Sequence, residues 1–379
     1  MEAEQIRRII LRIVTSLMNL IIGPSGAWYA LGFKGLCVYI IIITVTKFIV
    51  AESFSINERV SKIGYRISPI FLLLAGLSPW IMPRWETNVV IVPLLLGTYI
   101  GTFWNAFHGI RKIKKSNNER DSVKQFQFFE IFSTVIAAVL VISLKYLDLS
   151  SYAGYFGGLL ALIALMIPMN IGTESIGMST NNFSSEKAVF AKLITGSFGI
   201  IGFSTVWSMR IVALQYAGIN GIAVMVAISS IVGFTFSTLN DSKFSPKDAD
   251  ERNWKNGNYL VIVGILLMGF GLFKSQHQYF LLGYLICKAG TSGILHQLEV
   301  RISGELLFGE GGSIGLRERI KFRTQNKIVV IYLVFNISIL FLLGEINVFL
   351  LISFPLLISL LCCILNLQTI NQLSVRQLV

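Results

Sequence analysis

Charge is what this sequence has least of. Only 14% of its 379 residues are Asp, Glu, Lys or Arg, whereas a water-soluble domain carries about 25% because its surface must be solvated. Cysteine is scarce too. Cys37, Cys287, Cys362 and Cys363 all lie in apolar sequence without CxxC spacing, which speaks against a disulfide framework and against a zinc site. Histidine occurs three times and never as HExxH, and no nucleophile elbow is present. Those absences point away from an enzyme. The glycine-rich GEGGSIG at 309–315 lacks the closing GK[ST] of a phosphate loop, so no nucleotide, cofactor or metal is expected.

What is present is apolar sequence, 54% of the chain, with a mean hydropathy of +0.69. Twelve runs stand out: 9–30, 35–53, 67–83, 88–109, 126–144, 151–170, 188–209, 211–236, 257–274, 279–298, 326–344 and 346–366. Each is near the roughly 20 residues a helix needs to cross a bilayer. They are continuous and not alternating, which favours helices over barrel strands. The expected fold is an all-α polytopic membrane protein of twelve transmembrane helices in two six-helix bundles. The first run lacks a small-residue cleavage site and is read as a retained helix.

The net charge of +12 would suit a nucleic-acid partner, but its placement suits a membrane better. With the N-terminus inside, 25 Lys and Arg fall in inner segments and five in outer ones. This bias predicts both termini in the cytoplasm of a multi-pass protein of the plasma (inner) membrane. The polar stretch 172–187 then reads as a cytoplasmic linker between an N-terminal bundle, 1–171, and a C-terminal bundle, 188–379. Six helices on each side of such a linker match a transporter plan of two parallel repeats.

The segment 52–76, ESFSINERVSKIGYRISPIFLLLAG, joins the second and third runs. It resembles the signature loop of the major facilitator superfamily, Gly-x-x-x-Asp-Arg-x-Gly-Arg-Arg. Lys62 matches the first arginine, Gly64 the central glycine and Arg66 the last basic residue. Asn57, Ser61 and Tyr65 depart from the pattern. Gly64 is expected to permit a tight turn, and Arg59, Lys62 and Arg66 to hold the loop at the cytoplasmic face. WNAFH at 104–108, followed by a basic loop, also resembles members of this superfamily. The resemblance implies a secondary transporter that moves a small organic solute by alternating access, as a monomer. Export is the expected direction. A flippase for lipid-linked saccharides is the alternative.

Ionisable groups within membrane helices are costly and so are candidates for function. Lys288 lies midway through the tenth run, with Ser292 and His296 on the same helix face at i+4 and i+8. His108 and Glu130 flank one basic loop and would approach each other if the two helices pack antiparallel; Asn105 lies one turn before His108. His108, Glu130 and His296 are the candidate proton carriers, since imidazole titrates near neutral pH. A kink is expected at Gly23-Pro24. The boundary between the seventh and eighth helices is expected near Arg210.

Overall fold

The computed structural model describes the chain except residues 1–2, 55–57, 83, 85, 111–118, 150–151, 168–184, 242–247, 297, 300–313, 343–347 and 378–379; the side chains of Arg59, Asn105, His108 and Glu130 also lie outside what is described. The described residues are mostly helical, with no strand among them. In chain order they are α1 (Ala3–Thr15), α2 (Gly23–Ser53), α3 (Glu58–Ile81), α4 (Val92–Ile110), α5 (Glu119–Tyr146) and α6 (Ala153–Met166). They continue as α7 (Ser185–Asp241), α8 (Asp248–Phe273), α9 (His277–Lys288), α10 (Ile314–Leu342) and α11 (Val348–Gln377). Three π-helical stretches, Ser16–Ile22, Thr87–Ile91 and Ala289–Leu295, run without interruption into α2, into α4 and out of α9 respectively.

Five continuous helical stretches among the described residues are long and apolar enough to cross a membrane: Ile6–Ser53, Thr87–Trp104, Val189–Leu239, Glu251–Phe273 and Ile352–Thr369. The first and third, at 48 and 51 residues, would be over 70 Å long if straight at about 1.5 Å per residue, more than twice a bilayer core of about 30 Å. Both are broken. Gly32 has φ 58° and Gly218 φ 61°, a region that suits glycine and strains any residue with a side chain. The fold-back after Gly32 brings the Tyr39 ring against Gly23. The helix boundary expected at Arg210 therefore falls eight residues later, at Gly218. Arg210 continues the helix and lays its guanidinium over Trp207, 4.2 Å from the ring centroid.

The bend expected at Gly23-Pro24 takes the form of a widened helix. The Gly23 amide donates to Met18 O, five residues back. This π-type bonding precedes Pro24, which has no amide proton to give. Gly64 differs from its expected role as well. It sits inside α3 and makes no turn; a Cβ there would stand 2.5 Å from Phe54 Cδ1, so glycine is needed for the close approach of that ring. Tyr65 beside it is buried and stacks on Phe103, with centroids 5.3 Å apart.

The chain forms two compact units. Unit 1 comprises Met1–Met178 with Leu214–Ala227, and unit 2 comprises Ser179–Ala213 with Ile228–Val379. In unit 1, α2 and α3 pack on α4, α3 and α1 pack on α6, and α1 also packs on α5. In unit 2, α8 packs on α9 and its π-helical extension, and α11 packs on α8. The α8–α9 pairing has a clear sequence cause. Gly257, Gly264 and Gly271 recur every seven residues, as do Gly283 and Gly290. A Cβ on Gly264 would stand 2.6 Å from Gly283 O, and one on Gly290 2.6 Å from Gly257 O. Small residues let backbones approach where lipid supplies no hydrophobic drive between helices.

Candidate functional site

Each unit buries polar groups inside apolar helices, and each is built differently. In unit 2, Lys288 ends α9 and Ser292 lies in the π-helical stretch that follows. Lys288 Nζ donates to Ser292 Oγ at 3.0 Å, and both residues are half-buried. The i+4 spacing thus becomes a contact. His296 follows on the same helix and is exposed. Gly233 on α7 leaves room for Ser292: a Cβ there would come within 3.0 Å of Ser292 Cβ. Glycines at 290 and 293 accompany the π-helical widening, a distortion that recurs at functional sites.

Nearby in the same unit lies a polar layer that apolar-run reading passes over. Trp254 Nε1 donates to Asn366 O at 3.0 Å, and Asn258 Nδ2 donates to Trp254 O at 2.9 Å. Phe198 meets the Trp254 indole edge-on at 5.5 Å. Asn258 and Asn366 are 0% and 1% exposed. Asn258 Oδ1 and Asn366 Nδ2 have no hydrogen-bond partner among the described residues. Glu299, 1% exposed, accepts from Gln325 Nε2 at 3.4 Å. The signal that could have found these groups was a lone Asn or Glu within or at the edge of each apolar run.

In unit 1 the site begins with α1. Arg7 and Arg12 count as inner-flank charges in the sequence, yet both are buried. Arg7 Nη1 donates to Ile167 O at 3.1 Å and its Nη2 to Arg66 O at 3.4 Å, so it binds carbonyls at the end of α6 and within α3. The Arg12 guanidinium lies over Trp104, 5.2 Å from the ring centroid. One turn on, Thr15 Oγ1 donates to Leu11 O at 2.6 Å and shares a 2.7 Å bond with Tyr99 Oη. A hydroxyl has one proton, so Tyr99 is the donor of that second bond. Tyr99, Phe103 and Tyr65 stack in a column with spacings of 5.2 and 5.3 Å. Ser16 and Thr134 pair at 3.3 Å beside it.

Of the signature-loop residues, Lys62 is half-buried, Gly64 buried and Arg66 exposed on α3. Asn105 and His108 fall on α4 and Glu130 on α5, but these three side chains, like that of Arg59, lie outside the described residues.

The fold itself can be compared with known structures. A bacterial homologue of the iron transporter ferroportin, in its inward-facing state, superposes with a TM-score of 0.68 at 13% identity, covering 98% of this chain and 97% of that one. The POT family transporter PepTSo gives 0.57 at 10% identity, with 97% and 98% covered. The E. coli fucose:proton symporter FucP gives 0.55 at 12%, with 94% and 97% covered. The chain has the major facilitator fold. No family model matches the sequence, and no curated protein matches it significantly. At 10–13% identity the likeness is one of fold, and the solute is left to the side chains. The major facilitator fold accounts for the near-complete coverage of both chains and for a polytopic membrane protein related in structure to transporters.

Proposed function

We propose that this chain is a secondary transporter that moves a small organic solute across the plasma membrane by alternating access, with export as its direction. The observation that carries the reading is the major facilitator fold over nearly the whole chain, combined with hydrogen-bonded polar groups buried inside spanning helices. Breaking the long helices at Gly32 and Gly218 gives twelve helical segments among the described residues, in support of twelve spans. The bias of 25 inner to five outer basic residues supports termini in the cytoplasm. The two six-helix bundles, 1–171 and 188–379, are the proposed moving parts, joined by 172–187.

Lys288 is the proposed solute-binding cation, oriented by Ser292. His296, exposed on the same helix, and the His108–Glu130 pair are the proposed proton carriers, with Asn105 beside them. The mechanism needs no ATP, because a rocking carrier is driven by the gradients of its solute and coupling ion.

The test is two-sided accessibility. Ser292→Cys in a background lacking the four native cysteines should react with a membrane-impermeant thiol reagent from either face of the membrane. Solute should protect it. Reaction from one face only, whatever solute is added, would contradict alternating access.

A further inference from the structure

The chain reverses at two places by the same device. After α5, the Leu149 amide donates to Leu144 O at 2.7 Å and the Asp148 amide to Lys145 O at 3.1 Å. After α8, the Gln276 amide donates to Gly271 O at 2.8 Å and the Ser275 amide to Leu272 O at 3.2 Å. Paired bonds of this kind end a helix on a left-handed residue, a position most often given to glycine. Here it falls to Asp148, with φ 56°, and Ser275, with φ 54°, the two non-glycine residues of positive φ among those described. Both turns are exposed. A reversal between two apolar helices has to reach water or lipid headgroups, since hydrocarbon offers nothing to its free peptide groups.

Each tip carries exposed rings and a basic group. In unit 1, Trp80 near the end of α3 meets Tyr152 and Tyr155 at the start of α6, with ring centroids 5.1 and 5.7 Å away. The three are 50%, 40% and 39% exposed. Lys145 in the last turn of α5 and Arg84 just past α3 are exposed as well. In unit 2, Phe270 meets Tyr279 edge-on at 5.7 Å, and Lys274 Nζ lies 5.4 Å from the centroid of the Phe273 ring. These three rings are exposed too. Farther from the tip, α8 exposes the aliphatic Val263 and Leu266 instead, which suit acyl tails. Trp and Tyr pair an apolar body with a polar tip and suit the boundary between tails and headgroups. Basic groups beside them match the charge of lipid phosphates.

We infer that these two hairpin tips are lipid-anchoring surfaces. The rings occupy the tail–headgroup boundary of the outer leaflet, the basic groups meet lipid phosphates, and each tip sets the depth of its own unit. The Lys and Arg counts assign both tips to the outer side. The inference stands whichever solute is carried.

The experiment uses the full-length protein without its four native cysteines, carrying a fluorophore on Leu147→Cys, on Gln276→Cys or, as a mid-helix control, on Leu266→Cys. It is reconstituted into vesicles of phosphatidylcholine and phosphatidylglycerol that bear a nitroxide either on the headgroup or midway along the acyl chain. The headgroup nitroxide should quench both tip labels about twofold or more better than the chain nitroxide, with the reverse order for Leu266→Cys. Replacing Trp80, Tyr152 and Tyr155 together by Leu should shift the Leu147→Cys label toward the chain nitroxide and leave Gln276→Cys unmoved. Phe270→Leu with Tyr279→Leu should do the converse, and it decides the matter if the triple variant does not fold. In cells, an impermeant thiol reagent should reach both unlabelled tip cysteines from outside. Tip labels quenched best by the chain nitroxide, or by neither, as under a second copy or another protein, overturn the inference. So do labels unmoved in the folded ring variants, or thiol reaction from the cytoplasmic face alone.

Discussion

Thr15 and Tyr99 show how asymmetric a single buried hydrogen bond can be. Tyr99 donates to Thr15, which has already given its own proton to Leu11 O. Tyr99→Phe removes the donor and strands nothing, at an expected cost of about 1 kcal/mol. Thr15→Val leaves the phenol hydroxyl without its acceptor in a buried position, and should cost about 1–3 kcal/mol. Chemical or thermal unfolding of the two variants checks the order, and equal costs would count against the assigned direction. Asn366 gives the opposite sign. Its Nδ2 is buried with no partner among the described residues, and its backbone oxygen, not its side chain, receives the Trp254 proton. Asn366→Leu should therefore leave stability unchanged or raise it, as read by melting temperature. If that variant also loses transport, the amide serves the solute path.

Helices are where glycine decides the packing. Gly264 and Gly283 meet backbone to backbone: a Cβ on Gly264 would stand 2.6 Å from both Gly283 O and Cys287 Sγ and 2.7 Å from Cys287 N. Gly264→Val should destabilise by about 1–3 kcal/mol or more through overpacking. Gly269, on the same helix with open space around its Cβ position, should tolerate alanine with little change. A protease-resistance or melting comparison of the two separates this account from a general intolerance of glycine replacement. Gly218→Ala should be strained by its positive φ, and its Cβ would also press on the Tyr29 hydroxyl, 2.7 Å away, which accepts from the Ile219 amide at 3.1 Å.

These elements also mark what hydropathy can and cannot read. The apolar runs place the helices, but α3, α5, α8 and α10 begin about seven to twelve residues before their runs, and α11 ends eleven after its own. Helical hydrogen bonding continues through polar sequence, and hydropathy registers only the apolar part. The Lys288–Ser292 contact was legible because both residues lie on one helix, where spacing fixes neighbours. The Arg12–Trp104 stack was not, because it joins residues 92 apart, and Arg12 counted on its own looks like a topology charge at the helix flank. Arg210 misled in the same way. It suggested a helix end, yet its guanidinium lies over the Trp207 ring while Gly218 makes the break.

At the scale of the whole molecule, two compact units and the major facilitator fold are built from long apolar helices. The fold does not name a solute, since structures with the same fold include an iron transporter homologue and a fucose:proton symporter. The central claim is transport driven by gradients alone. It is tested most directly by reconstituting the full-length protein into sealed liposomes without ATP and following counterflow of labelled solutes, with oxyanions and neutral sugars compared in parallel. The account predicts saturable exchange of at least one solute that is reduced several-fold in Lys288→Ala. Liposomes no more permeable than protein-free ones to every solute in the panel, with the protein shown to be folded and inserted, would contradict it.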